Sequence, residues 1–207
     1  MMLELSTSER DVLAGLMNMG VGRAAASFSA MIGEEVLLSV PSVDILSRDA
    51  AARLLSELTS GRATGISQHV GGALVDLAAL VLPQAKSLQI VQAVLRHSRS
   101  AGEFAELAQE TLLEIGTIIL NACLGTISDY AGAEIRSSLP TLTNHPARDL
   151  FVCSEAGHEA DTLFLHIRFQ VRTDDISGYL VFVMDMVGVE RVQSHVHACL
   201  ESLARGR

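Results

Sequence analysis

A segment that occurs twice constrains the fold of this chain more than any other feature. The first copy runs from Asp11 to Pro41 and the second from Glu110 to Pro140, at a constant separation of 99 residues. The positions between agree in kind, as in Leu13 and Leu112, Leu16 and Ile115, Ser27 and Thr126, Val36 and Ile135, and Ser39 and Ser138. One offset that holds without a gap over about thirty positions indicates a duplicated structural unit.

Hydrophobic periodicity predicts the order helix–strand–hairpin–helix in both units, with a further helix in the first and a further strand in the second. The first unit, about residues 8–98, is predicted to contain a helix over 8–32, a strand over 35–46, a helix over 47–58, a hairpin of strands over 63–70 and 73–82, and a helix over 83–97. The second unit, about residues 103–204, is predicted to contain a helix over 103–131, strands over 133–142, 150–154, 162–171 and 178–185, and a helix over 187–204. Pro41 predicts an edge strand or a bulge.

Each unit therefore has the order helix–strand–hairpin–helix, and the short hairpin links require antiparallel pairing. We predict a single α+β domain over residues 1–207, in which the two units share one sheet with pseudo-twofold symmetry. The chain is long enough for a substantial core, and 49% of its residues are hydrophobic.

The net charge of −9 and the lack of a basic run argue against nucleic acid and an anionic membrane surface as partners. The N-terminus lacks the basic and apolar regions of a secretory signal, and the apolar stretches near 71–83 and 115–124 are too short to cross a bilayer. We therefore expect a cytoplasmic protein without membrane insertion. Three cysteines without a Cys-x-x-Cys pair, and scattered histidines, predict no metal site.

On each duplicated helix, three residues at helical spacing share one face. The first column is Asp11, Gly15 and Asn18, and the second column is Glu110, Glu114 and Thr117. A polar column is typical of any solvated helix face. Its recurrence at the same distance from the same Gly and Pro favours a functional role.

This pattern resembles the CheC family of chemotaxis phosphatases, which are relatives of CheX and of the flagellar switch protein FliY. Their motif is Asp or Ser, three residues, Glu, two residues, Asn, and then twenty-two residues and Pro. The same spacing separates Asn18 from Pro41 and Thr117 from Pro140. The resemblance covers nearly the whole chain and implies a six-stranded antiparallel sheet with both motif helices on one side.

The resemblance also implies an activity, the hydrolysis of the aspartyl phosphate on a receiver domain of the CheY type. In that family the Asn holds the attacking water and the Glu reaches a lysine of the receiver. The receiver itself carries Mg²⁺, so the resemblance implies no cofactor of the chain's own. Positioning and electrostatics supply most of the catalysis in phosphoryl transfer.

Neither copy of the motif is complete, because Gly15 replaces the Glu of the first and Thr117 replaces the Asn of the second. The resemblance implies Asn18, Glu114 and Thr117 as catalytic candidates, and Asp11, Gly15 and Glu110 as receiver-docking candidates. One preorganised polar group is commonly worth about 10²–10³ in rate, so we expect a slow phosphatase. Asn121, one turn beyond Thr117, is a less favourable source of a carboxamide.

The alternative hypothesis is a binding module without catalysis. Such a module would be an adaptor for a phosphorylated receiver or for a CheD-like deamidase, since CheC-family proteins can pair with that enzyme. It could also be a rotor component, although the sequence shows no added C-terminal switch domain.

Overall fold

A computed structural model describes residues 5–72, 74–95, 101–144, 149, 151, 161–171 and 174–205. Its elements are α1 (Thr7–Ile32), β1 (Val36–Ser47), α2 (Arg48–Leu58), β2 (Ala63–Gly71), β3 (Leu77–Pro83), α3 (Gln84–Val94), α4 (Ala101–Ala131), β4 (Arg136–Ser137), β5 (Thr141–Thr143), β6 (Asp161–Val171), β7 (Asp174–Met184) and α5 (Met186–Arg205).

The seven strands form one antiparallel sheet in the order β1-β6-β7-β3-β2-β4, with β5 also paired to β2. The first predicted unit supplies β1, β2 and β3. Its edge strand β1 pairs with β6 of the second unit, while β4 and β5 of the second unit pair with β2 of the first. The predicted α+β antiparallel fold is confirmed, whereas the duplication itself remains a prediction.

In the described residues the sheet has seven strands, where the resemblance implied six, because the strand predicted over 133–142 is split into β4 and β5. The residues between them include Leu139, which is 87% exposed, and Pro140, which has no N–H to donate. A hydrogen bond joins the residues of this break to β2, in which the Ser138 N–H donates to the His69 carbonyl at 2.8 Å.

The connection between β2 and β3 is longer than the two-glycine hairpin that we predicted. Leu74 and Val75 are buried, as strand residues would be, yet β3 begins only at Leu77. We attribute the late start of β3 to a tertiary contact. The start of α5 packs against this loop, and Gly188 lies directly against the Leu74 carbonyl. The strand predicted over 150–154 lies mostly outside the described residues.

The sheet separates two hydrophobic clusters. Leu80 and Leu82 of β3 face the larger cluster, which contains the apolar sides of α1, α3, α4 and α5. Ala79 and Val81 face the smaller one, which α2 covers. The two motif helices, α1 and α4, thus lie on the same side of the sheet, as expected.

Helix α4 is apolar for most of its length. Leu107–Ala131 is long and apolar enough to cross a membrane by length and composition, with a mean hydropathy of 1.5 in its most apolar window. Within the protein, 56% of that window is buried. We therefore assign α4 to the core of the fold.

Candidate functional site

The start of α1 is fixed by a capping box, which sets the position of the first column. The Ser6 N–H donates to Glu9 Oε2 at 2.7 Å, and the Glu9 N–H donates to Ser6 Oγ at 3.3 Å. The buried carboxylate also lies 3.2 Å from Nδ1 of His197 on α5. Hydrogen bonding to Ser6, with a smaller contribution from His197, lowers the pKa of Glu9.

Asn18 is bound into the edge of the sheet. Its Nδ2 donates to the Ala14 carbonyl at 2.7 Å and to the Val40 carbonyl at 3.2 Å. Its Oδ1 accepts from the Val40 N–H at 2.9 Å. The carboxamide thus holds both backbone groups of Val40, and both of its own N–H groups are engaged.

The reason lies in β1, whose pairing with β6 is interrupted. Ser39 pairs with Arg168 and Ser42 with His166, so that Val40 and Pro41 together stand opposite one residue. Such a bulge leaves backbone groups without a ladder partner. Asn18 supplies those partners to Val40, which is only 3% exposed. The bulge predicted at Pro41 is therefore present, and sequence reasoning missed its connection to Asn18.

The rest of the first column is exposed. Asp11 and Gly15 both face solvent, and a Cβ added at Gly15 would meet no atom within 4 Å. No close backbone approach therefore requires glycine at this position. Among the described residues, the first column has no carboxylate at the position that Glu114 occupies in the second.

In the second column, Glu110 and Glu114 are exposed and neither has an ion-pair partner among the described residues. Thr117 is half-buried, and its hydroxyl donates to the Leu113 carbonyl of the same helix at 2.6 Å. The hydroxyl oxygen retains acceptor capacity, since a Thr hydroxyl has one donor and two lone pairs.

Hydrogen bonds from β2 hold the break between β4 and β5. Gln68 Nε2 donates to the Ser138 carbonyl at 3.3 Å, and the His69 N–H donates to Ser138 Oγ at 3.1 Å. Gln68 is 2% exposed, and sequence reasoning gave no signal for this role. Thr117 therefore does not fasten the strand in the way that Asn18 does.

The two columns are not joined to each other by any hydrogen bond or ion pair between described residues. The helices that carry them touch further along, where a Cβ added at Gly20 would lie 2.8 Å from Thr126 Oγ1. Asn121 is exposed and lines a groove of about 260 Å³ between α4 and β4. The predicted roles of all these residues remain predictions.

Within the described ranges, no three His, Cys, Asp or Glu side chains are grouped closely enough to hold a metal ion. Burial raises the pKa of the Cys123 thiol to about 12, which makes this cysteine an unreactive part of the core.

No protein-family model matches the chain. Among solved structures, FliY of Thermotoga maritima is similar, with a TM-score of 0.71 and 19% identity over 94% of this chain and 98% of that one. The FliM middle domain of H. pylori is also similar, with a TM-score of 0.62 and 9% identity over 92% of this chain and 99% of that one. A FliG–FliM complex from H. pylori matches with a TM-score of 0.62 and 11% identity, over 92% of this chain and 100% of that one.

These similarities extend over nearly the full length of each chain, and the sequence identities are too low to carry function. They agree with the resemblance drawn from the two motif copies. The chain therefore has the fold of the CheC and FliY proteins.

Proposed function

We propose that this chain is a CheC-like protein of chemotaxis signalling that docks on the receiver domain of a response regulator, in the cytoplasm where such receivers work. The observation that carries the proposal is the second column. Glu114 is exposed and has no ion-pair partner among the described residues, at the motif position whose carboxylate meets a receiver lysine in the family that the sequence resembles. A carboxylate placed in this way can make a charge-assisted bond across an interface.

Slow hydrolysis of the receiver's aspartyl phosphate is a second candidate function, favoured by the acceptor capacity of Thr117. Water would attack phosphorus, the bond from phosphorus to the aspartyl oxygen would break, inorganic phosphate would be released, and the aspartate carboxylate would remain on the receiver. Mg²⁺ on the receiver would neutralise the phosphoryl oxygens. Thr117 lies one turn from Glu114, so its oxygen could accept a hydrogen bond from that water.

Asn18 supports catalysis less well, although it is the residue type that the motif requires. Both of its N–H groups are engaged, and its oxygen keeps one lone pair beside the bond that it accepts from the Val40 N–H. To hold a water with the full carboxamide, Asn18 would have to release the β1 bulge. The hydrogen bonds of Asn18 thus argue against turnover at the first column.

The test is the decay of a phosphorylated CheY-type receiver with and without catalytic amounts of the chain. Glu114→Ala and Asn18→Ala are compared with Glu57→Ala, which removes an exposed carboxylate from α2 on the other face of the sheet. We expect a small acceleration that Glu114→Ala abolishes and Glu57→Ala leaves intact. Acceleration lost only in a folded Asn18→Ala variant would instead assign the chemistry to α1.

Binding to the phosphorylated receiver without acceleration would leave an adaptor and reject the phosphatase. An adaptor for a CheD-like deamidase is the alternative partner hypothesis. Titration of the chain with that deamidase and with a receiver, each alone, separates the two partners. A chain that binds neither protein would contradict the proposed function altogether.

A further inference from the structure

We infer that α4 alone presents the docking surface and that Asn18 now serves as a strand clamp, so that one chain binds one receiver although it carries two motif copies. This inference rests on the proposed function and specifies its surface. It concerns three differences between matched positions of the two columns.

The first difference is the use of the motif carboxamide. Asn18 satisfies the N–H and C=O of Val40 at the bulge, and a buried backbone group without a partner is costly. Its withdrawal toward a partner would therefore destabilise the edge of the sheet. In the second unit, Gln68 and the β2 backbone make the hydrogen bonds to the equivalent strand break. The fold therefore does not need Thr117 as a hydrogen-bond partner of the strand.

The second difference is charge. The second column presents Glu110 and Glu114, and neither is neutralised by a described neighbour. The first column has Gly15 at the matched position, and only Asp11 remains, two helical turns from Asn18. Only α4 therefore offers a pair of carboxylates to a lysine-bearing partner.

The third difference is the surface around the columns. Met19, which is 59% exposed, lies on the solvent side of α1 between Gly15 and Gly22, and a Cβ added at either glycine would meet open space. The positions of Gly15, Met19 and Gly22 carry no charged group, and Asp11 is the one carboxylate in the first column. The partner that fits the chain is thus one cation-bearing receiver surface placed against α4.

The experiment is calorimetric titration of the full chain with a CheY-type receiver domain activated by beryllofluoride. We expect a stoichiometry of one receiver per chain and an affinity at least about tenfold weaker in Glu114→Ala, because an interfacial charge pair is truncated. Glu57→Ala is the matched control and should leave the affinity unchanged.

A stoichiometry of two, or binding that survives Glu114→Ala, would overturn the single surface while leaving receiver docking intact. Absence of binding by the unmodified chain would instead reject the proposed function itself. The two failures are therefore distinguishable in one set of titrations.

Two variants, each of which completes one motif copy, test the role of Asn18 as a strand clamp. Thr117→Asn restores the missing residue of the second column, and Gly15→Glu restores that of the first. We expect Thr117→Asn to accelerate receiver dephosphorylation by about 10²-fold, since no strand engages its carboxamide, and Gly15→Glu to give no gain. A gain in Gly15→Glu, or none in Thr117→Asn, would contradict the assigned roles.

Discussion

The strands at the two edges of the sheet differ in continuity, although each edge has an irregularity at a matched proline, Pro41 or Pro140. At one edge, β1 continues as a single strand of 12 residues across its bulge. At the other edge, β4 and β5 contain only 2 and 3 residues and are separated by the exposed Leu139. The continuous strand is β1, whose bulge is hydrogen-bonded by Asn18 of the motif helix α1.

The side chains at the matched helix position differ as well. A carboxamide offers a donor and an acceptor together and can pair with both backbone groups of Val40. The Thr117 hydroxyl is shorter and turns back to its own helix. Asn18 thus supports the strand at one edge, and Gln68 with the β2 backbone supports the break at the other.

The largest expected effect concerns how closely each helix approaches the sheet. Gly116 of α4 matches the buried Met17 of α1, and a Cβ added at Gly116 would lie 2.6 Å from Ile66 Cγ2. Gly116→Met should lower the free energy of unfolding by about 3 kcal/mol through overpacking. Urea denaturation measures the change, and equal stability to the unmodified chain would show that α4 can move outward as far as α1.

The next effect tests the clamp as a part of the fold. Asn18→Ala removes three hydrogen bonds and leaves the buried Val40 backbone without those partners, so we expect a loss of about 2 kcal/mol in unfolding free energy. Thr117→Ala is the matched change and should cost less than about 0.5 kcal/mol. Similar losses in the two variants would remove the contrast between the edges.

A smaller effect concerns the start of α1. Glu9→Gln removes the carboxylate of the capping box and should cost about 1 kcal/mol at neutral pH. Because the pKa of Glu9 is lowered from 4.5, the contribution is present above pH 4.5 and is lost as the pH falls through the lowered pKa. Chemical denaturation of both proteins from pH 7 to pH 3 should show the difference shrinking as the pH falls below 4.5. A difference that stays constant below pH 4.5 would mean that the charge of Glu9 is not its source.

The smallest expected effect is a gain in stability. Gly15→Ala should raise the unfolding free energy by about 0.5–1 kcal/mol, because glycine weakens a helix interior and the added methyl group meets open space. Gly20→Ala is the control, since its Cβ would crowd Thr126 and the Ala122 carbonyl, and it should destabilise the protein. A loss in Gly15→Ala would indicate an unrecognised need for glycine on this face.

Local patterns predicted most of the elements because they arise from local causes. The capped start and glycine end of α1, the continuous apolar run of β3 and the alternation in β6 are all visible in short windows. The split between β4 and β5 and the late start of β3 were not predicted, because β2 and α5 impose them from elsewhere in the chain.

The candidate site, like the fold, was predictable from the sequence only where its causes are local. The columns follow from helical spacing, and the structure places both on α1 and α4 as expected. The bonds of Asn18 could not be inferred from its own helix, because they depend on where Val40 loses its ladder partner. The constant spacing from Asn18 to Pro41 was the available signal, and it could equally well be attributed to a catalytic motif.

The interleaved strands have a consequence for folding during synthesis. Val36 pairs with Val171, and among the described residues the strand neighbour of β1 is β6, which begins only at Asp161, so β1 stays unpaired while the intervening residues are made. At usual translation speeds this delay is on the order of ten seconds. In that interval β3 also lacks β7, and the half that emerges first exposes apolar strand edges of the kind that associate with other chains. We therefore expect the nascent protein to depend on chaperones more than a domain of its size with local strand pairing.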